Sequence, residues 1–82
     1  MMPLLYGKPG KQYEIVSLFG GRGFSRKLFE MGIRPGVIIK VITNSGNGPI
    51  LVGINNSRIG LGKGMAGKII INSISIKEAK AI

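Results

Sequence analysis

The sequence predicts a mainly β fold: a small, closed or partly closed barrel of about five short strands with one short helix. Three observations support this class. The 82 residues suffice for a single domain, taken as residues 1–82. The 14 glycines separate short stretches rich in isoleucine and valine. One stretch alone changes from alternating to helical spacing of its apolar residues. Barrel closure protects the strand edges that so much β-branched apolar sequence would otherwise expose.

The chain is expected to begin with a strand. Gln12–Leu18 is predicted as the first strand, and the Pro9-Gly10 pair forms the turn that leads into it. The glycine-rich residues 20–23 are predicted as a loop. This loop would separate the first strand from the helical stretch.

A helix of about two turns is predicted near residues 24–31. Phe24, Leu28 and Met31 recur at i, i+4 and i+7, which places them on one helix face. Ser25 is a suitable N-cap. Gly32 is suited to end the helix in the left-handed conformation.

The second half of the chain is predicted to be four strands joined by turns. Pro35-Gly36 suits the centre of a type II turn, and Asn55-Asn56 can reverse the chain. The last strand should carry Ile70, Ile74 and Ile76 on one face and Ser73 and Ser75 on the other. Residues 62–67 are expected as a glycine-rich connection and 77–82 as a polar tail. The predicted strands are residues 37–43, Ile50–Ile54, 58–61 and 68–76.

The charge of the chain indicates an anionic partner. Twelve basic residues against three acidic ones give a net charge of +9 and a pI near 10.6. Such a charge attracts nucleic acid, anionic lipid or an acidic protein, and it also favours solubility. Arg22, Arg26 and Lys27 form the candidate partner-binding cluster, with an ordinary solvated helix face as the alternative.

The side chains that most catalytic and metal sites require are missing. The chain has no His, Cys or Asp, and its acidic residues are Glu14, Glu30 and Glu78. Acid–base and nucleophilic catalysis rely mainly on the missing types, and transition metals prefer imidazole or thiolate. We therefore expect no enzyme, no catalytic residue, no cofactor and no tight intrinsic metal site.

A glycine pattern at residues 62–67 resembles two phosphate-binding motifs. It fits G-x-G-x-x-G and, with Lys68, G-x-x-x-x-G-K. However, Ile69 stands where the phosphate loop needs Ser or Thr, and isoleucines typical of a strand follow instead of a long helix. The sequence therefore predicts no binding of ATP, GTP or NAD.

The aromatic residues bear on a nucleic-acid alternative. Phe24 and Phe29, with Phe19, are expected in the core, which leaves Tyr6 and Tyr13 as candidate platforms for base stacking. Charge alone would suit a nucleic-acid-associated barrel. This alternative stays open at the level of the residues.

The apolar runs predict a soluble protein. They fall short of the roughly 18–20 residues that span a bilayer, and Lys40 interrupts one of them. The first residues lack the features of a signal peptide. A cytoplasmic protein, at most peripheral at the inner membrane face, is the expectation.

Four stretches, in this order and spacing, resemble the FeoA family of ferrous iron transport. The most recognisable is a short helix closed by Met31-Gly32-Ile33-Arg34-Pro35-Gly36. Two positions, Gly60 and Gly67, depart from the usual pattern. The resembling stretches are Lys8-Pro9-Gly10 with its strand, residues 28–36, Gly48-Pro49-Ile50, and residues 58–69.

The resemblance implies an SH3-like barrel of about five strands with one or two short helices. It also implies a cytosolic, non-enzymatic partner of FeoB, a membrane permease with a cytosolic GTP-binding domain. Transition-metal binding is associated with the family, although the residue types here predict no site. A similar domain ends iron-dependent repressors, which leaves a regulatory role as an alternative.

Overall fold

The backbone forms one antiparallel sheet, seen in a computed structural model that describes residues 1–74. Its six strands follow the order β1-β6-β2-β3-β4-β5. The strands are β1 (Met2–Pro3), β2 (Gln12–Leu18), β3 (Ile38–Thr43), β4 (Ile50–Ile54), β5 (Ser57–Leu61) and β6 (Ile69–Ser73). The helical elements are a 3-10 turn at Leu4–Tyr6, α1 (Gly21–Glu30) and α2 (Lys63–Ala66).

The strand predictions are largely confirmed. β2 and β4 have the predicted bounds, and β3 and β5 each differ at their first residue. β6 spans Ile69–Ser73, so Lys68 and Ile74 were wrongly included in the predicted last strand. Residues 75–76 of that strand and the predicted tail at 77–82 lie outside the described residues. β1 was missed because two residues are too short to show alternation; it is defined by its pairing with β6.

The core lies against the inner face of the sheet. Inward residues alternate along the strands, as half-buried strands require. The 3-10 turn packs against α2 and β6, so the segments after β1 and after β5 meet and the sheet closes around the core. The buried apolar residues are Leu4, Tyr13, Ile15, Leu28, Ile33, Ile39, Val41, Ile50, Val52, Ile54, Leu61, Ala66, Ile69 and Ile71.

The apolar face predicted for the last strand is wrong. Ile69 and Ile71 fill the core, whereas Ile70 is only half-buried. Three consecutive isoleucines carry no alternation that could set the phase. The pairing of Ile71 with Ile15 on β2 fixes it instead.

Helix α1 begins earlier than predicted. It starts at Gly21, so residues 21–23 are helical rather than a loop, and Gly20 takes the N-cap position instead of Ser25. Gly20 and Gly21 have φ of 125° and 87°, a region that suits glycine. A Cβ on Gly20 would lie 2.9 Å from the Phe24 ring. The two glycines therefore allow a sharp change of chain direction between β2 and α1.

The end of α1 confirms the prediction. Gly32 has φ 88°. The Ile33 N–H donates to the Leu28 carbonyl at 2.8 Å, and the Gly32 N–H donates to the Phe29 carbonyl at 3.0 Å. This is the Schellman arrangement, and buried Ile33 and Leu28 are its apolar pair. The cap and the core thus fix where α1 stops.

The predicted turns are also confirmed. Gly36 has φ 93°, and the Val37 N–H donates to the Arg34 carbonyl at 3.1 Å. Asn55 and Asn56 have φ of 47° and 69°, the conformation of a two-residue hairpin turn between β4 and β5.

Within residues 1–74, no helix is long and apolar enough to cross a membrane.

Candidate docking surface

The outward side of α1 carries part of the predicted basic cluster. Arg22 and Arg26 lie one helical turn apart and line an open depression of about 450 Å³. Lys27 is exposed but does not line it, because each helical step turns the side chain by about 100°. The structure therefore brings Arg22 and Arg26 together and places Lys27 beside them.

Phe29 forms the apolar centre of this depression. Its side chain is 43% exposed, so its expected place in the core is wrong. Leu28 takes the inward position instead and is fully buried. Because adjacent helix residues point about 100° apart, Phe29 lies at the edge of the inward side and is partly exposed to solvent. Phe24 is half-buried, with the Lys68 Nζ 5.3 Å from its ring centroid.

Arg34 completes the depression from beyond the helix end. Its Nε and Nη2 atoms donate to the Phe29 carbonyl at 3.1 and 2.9 Å. Its guanidinium carbon lies 5.9 Å from the centroid of the Phe29 ring. Arg34 therefore adds two hydrogen bonds to a helix-end carbonyl that also accepts the Gly32 N–H, and it flanks the aromatic ring.

Sequence reasoning missed Arg34 as a site residue. The available signal was a basic residue two positions after the helix-ending Gly32, where cations favour the last carbonyls. We call the exposed set Arg22, Arg26, Phe29 and Arg34 the α1 face.

The α1 face has the composition of a protein-binding surface. Three arginines and one aromatic ring line the depression, and Glu30 is the acidic residue among the lining residues. Arginine and aromatic residues dominate the energetics of protein interfaces because they bury large areas while forming directional contacts. The arrangement can therefore take an apolar side chain flanked by acidic groups.

The other aromatic residues also differ from expectation. Tyr13 is 1% exposed, and its hydroxyl accepts a hydrogen bond from the Lys8 N–H at 2.8 Å, so it cannot serve as a stacking platform. Phe19 is exposed rather than part of the core. Tyr6 is 63% exposed and keeps its candidate role.

The glycine motif and the acidic residues form no recognised site. Residues 63–66 form a single four-residue helix, and strand β6 follows at Ile69, as the sequence argument against a phosphate loop expected. Within residues 1–74, no three metal-ligating side chains of the His, Cys, Asp or Glu types gather in one place. The absence of a tight metal site stays a prediction for titration.

Fold and surface together define a small barrel domain of the SH3 type. A solved FeoA of Stenotrophomonas maltophilia, complexed with zinc and described as a prokaryotic SH3 domain protein, superposes with a TM-score of 0.75. The alignment covers 88% of this chain and 91% of that one at 19% identity, which shows the fold alone.

The chain belongs to the FeoA family, because the FeoA domain model matches residues 2–73. It is 37% identical over 71 residues to a Methanocaldococcus jannaschii protein named "Putative Fe(2+) transport protein A", covering 87% of this chain and 85% of that one. A crystal structure of an iron uptake regulatory protein, FeoA, matches with a TM-score of 0.81 and 33% identity, covering 89% and 96% of the two chains. The resemblance noted in the sequence is thereby confirmed, as is the SH3-like barrel.

Proposed function

We propose that the protein is a non-enzymatic accessory of ferrous iron uptake that docks on the cytosolic part of a FeoB-type permease and modulates transport. The observation that carries this proposal is the FeoA match across residues 2–73, nearly all of the described chain. The name of the Methanocaldococcus relative, an Fe(2+) transport protein A, supports the same process.

The α1 face is the part of the barrel best suited to such docking. Phe29 supplies an exposed aromatic side chain that would lose its water contacts on docking. Such desolvated aromatic residues contribute much of the binding energy of protein interfaces. Arg22, Arg26 and the adjacent Lys27 set orientation and raise the association rate toward an acidic partner. The two hydrogen bonds from Arg34 to the Phe29 carbonyl hold the Arg34 guanidinium beside the Phe29 ring.

The net charge supports a cytoplasmic position near the inner membrane face. Anionic lipid attracts each basic residue close to the surface by about 1 kcal/mol, within a Debye length. Only part of the twelve basic residues can face one surface. The attraction is therefore modest and salt-sensitive, and it concentrates the protein beside its partner rather than anchoring it.

The direct test is binding of the full chain to a full-length FeoB-type permease in lipid nanodiscs. Changing Arg22, Arg26 and Lys27 to glutamate should leave the circular dichroism spectrum unchanged and weaken association, most strongly at low salt. A matched control changes Lys8, Lys11 and Lys63 to glutamate, three exposed lysines outside the α1 face. Equal loss in both variants would show general charge attraction, and the α1 face would be excluded.

A nucleic-acid-associated or regulatory role is the second candidate. The +9 charge and exposed Tyr6 favour it. Affinity capture from cell extract separates the two candidates. Recovery of RNA or DNA without any permease would make the nucleic-acid role the better conclusion.

A further inference from the structure

A second basic surface lies on the outer face of the sheet, away from α1. Gln12 pairs with Lys40, Lys40 with Gly53, and Gly53 with Arg58. Residues paired across neighbouring strands point to the same face. Lys40 stands between buried Ile39 and Val41, so this row faces solvent.

Gly53 leaves the middle of the row open. The depression above it has a volume of about 500 Å³, and Lys40 and Arg58 stand on its two sides. A Cβ placed on Gly53 would lie 3.4 Å from the Ile42 Cδ1 atom, an ordinary contact. A side chain would therefore fit sterically, and its absence exposes backbone between two cations. We call this depression the Gly53 groove.

The lining of the Gly53 groove selects a particular ligand chemistry. Within the described chain, the lining holds two cations and no acidic side chain. Polar groups from Gln12 and the Asn55-Asn56 turn add hydrogen-bonding capacity, and Ile38, 47% exposed, adds an apolar wall. Among the lining residues none is aromatic, so a nucleic acid would find no base-stacking platform.

The spacing of the cations favours an extended peptide. Two inter-strand steps place the Lys40 and Arg58 backbones roughly 10 Å apart, and alternate residues of an extended chain lie about 7 Å apart on one side. Long, flexible lysine and arginine side chains cover the difference. Two carboxylates on alternate residues therefore match the two cations, and the backbone between them can approach Gly53.

We propose that the Gly53 groove binds an extended acidic segment of a partner protein, with carboxylates on alternate residues held by Lys40 and Arg58. This site is separate from the α1 face and does not depend on the identity of the permease. It would give the barrel a second point of attachment, so that one partner, or two, can be held at once.

The test uses the full chain and a fluorescein-labelled peptide, Gly-Glu-Thr-Glu-Gly, which has no apolar anchor for the α1 face, with Gly-Gln-Thr-Gln-Gly as its uncharged match. Fluorescence polarisation in about 50 mM salt should show the acidic peptide binding about tenfold more tightly or better. The double change Lys40→Gln and Arg58→Gln should remove that preference. Arg22→Gln with Arg26→Gln removes the same charge from the α1 face and should leave it intact.

A third variant separates shape from charge. Gly53→Val keeps both cations, and valine is favoured in strands, so folding should be preserved and is checked by circular dichroism. The valine side chain covers the backbone at position 53, which the peptide must approach, and affinity for the acidic peptide should fall about tenfold, as for the double variant.

Three results would overturn the proposal. One is equal binding of the two peptides to the wild-type chain. Another is unchanged affinity in the folded Gly53→Val variant. The third is tighter binding of single-stranded oligothymidine than of the peptide, together with loss of that binding in the Lys40→Gln and Arg58→Gln variant. This result would assign the groove to nucleic acid.

Discussion

The α1 face and the Gly53 groove both present cations to solvent, but their surroundings differ. On α1, arginines surround the exposed Phe29 ring, whereas in the groove Lys40 and Arg58 flank bare backbone. An aromatic anchor gains from burial, which salt hardly affects. Charge pairs on an open surface are weak and screened. A net charge of +9 therefore does not define a single kind of partner.

The two surfaces also differ in how they are held. The Gly53 groove lies on the hydrogen-bonded strands β3, β4 and β5, and the pairing of these strands fixes its residues relative to one another. The α1 face depends on one helix whose fully buried anchor is Leu28 and whose end is fixed by the Gly32 cap. Changes to the core beneath α1 should therefore disturb one surface more than the other.

The largest effect is expected from Leu28→Ala. Removing this fully buried side chain leaves a cavity under α1 and should lower the free energy of unfolding by about 2–5 kcal/mol. That is a large share of the stability of a small domain. Urea unfolding followed by circular dichroism measures it. Phe29→Ala, at the next position, is the control and should cost about 1 kcal/mol, because this ring is 43% exposed. Similar losses in both variants would contradict this assignment of inward and outward sides.

Phe29→Ala should instead weaken docking on the permease. An aromatic anchor near the centre of an interface costs about 2 kcal/mol when truncated, a loss of roughly thirtyfold in affinity. Calorimetric titration with permease nanodiscs measures it. Tyr6→Ala removes a more exposed aromatic outside the α1 face and serves as the control. A larger loss for Tyr6→Ala would move the docking surface to the 3-10 turn.

Salt should separate the two surfaces next. Raising the salt concentration from about 50 to 500 mM shortens the Debye length and should weaken acidic-peptide binding at the groove several-fold. The part of docking that Phe29 contributes, measured as the affinity ratio of the wild type to Phe29→Ala, should change less, because burial of an apolar ring is not screened. Polarisation and nanodisc titrations in the same buffers compare the two, and equal salt dependence would remove the distinction.

The smallest effect is expected at Arg34. Arg34→Ala removes two of the three hydrogen bonds to the Phe29 carbonyl and leaves the one from the Gly32 N–H, so we expect a loss of about 0.5–1 kcal/mol in unfolding free energy. Arg34→Lys keeps the charge but not the two-pronged donor geometry, so it should recover only part of this loss. Thermal unfolding of both variants measures it, and full recovery by lysine would show that charge alone matters.

Much of the local structure could be predicted from the sequence. The turns at Pro35-Gly36 and Asn55-Asn56 depend on conformations that few residue types adopt, and the Gly32 cap follows the same rule. Strands β2 and β4 followed from their composition and flanking turn residues. Arg22, Arg26 and Lys27 were identifiable as a cluster by their closeness in the sequence, and the early start of α1 then put Arg22 one helical turn from Arg26.

The features that sequence reasoning missed depend on contacts between segments far apart in the chain. β1 exists because Met2 and Pro3 meet β6, and the Tyr13 side chain is buried by the barrel that closes around it. Phe29 faces outward because Leu28 takes the inward position against the core. The spacing of the apolar residues already placed Leu28 on one helix face with Phe24 and Met31, and the error was to add Phe29 to the core as well.

By itself the sequence determined where the chain turns, which stretches extend, and that the protein carries excess positive charge. Those properties depend on backbone torsion preferences and side-chain types within a few residues of each other. The tertiary structure alone decided which isoleucines of β6 fill the core and which cations stand together. Lys40, Gly53 and Arg58 form a row only because strand register, a relation between residues far apart in the chain, aligns them.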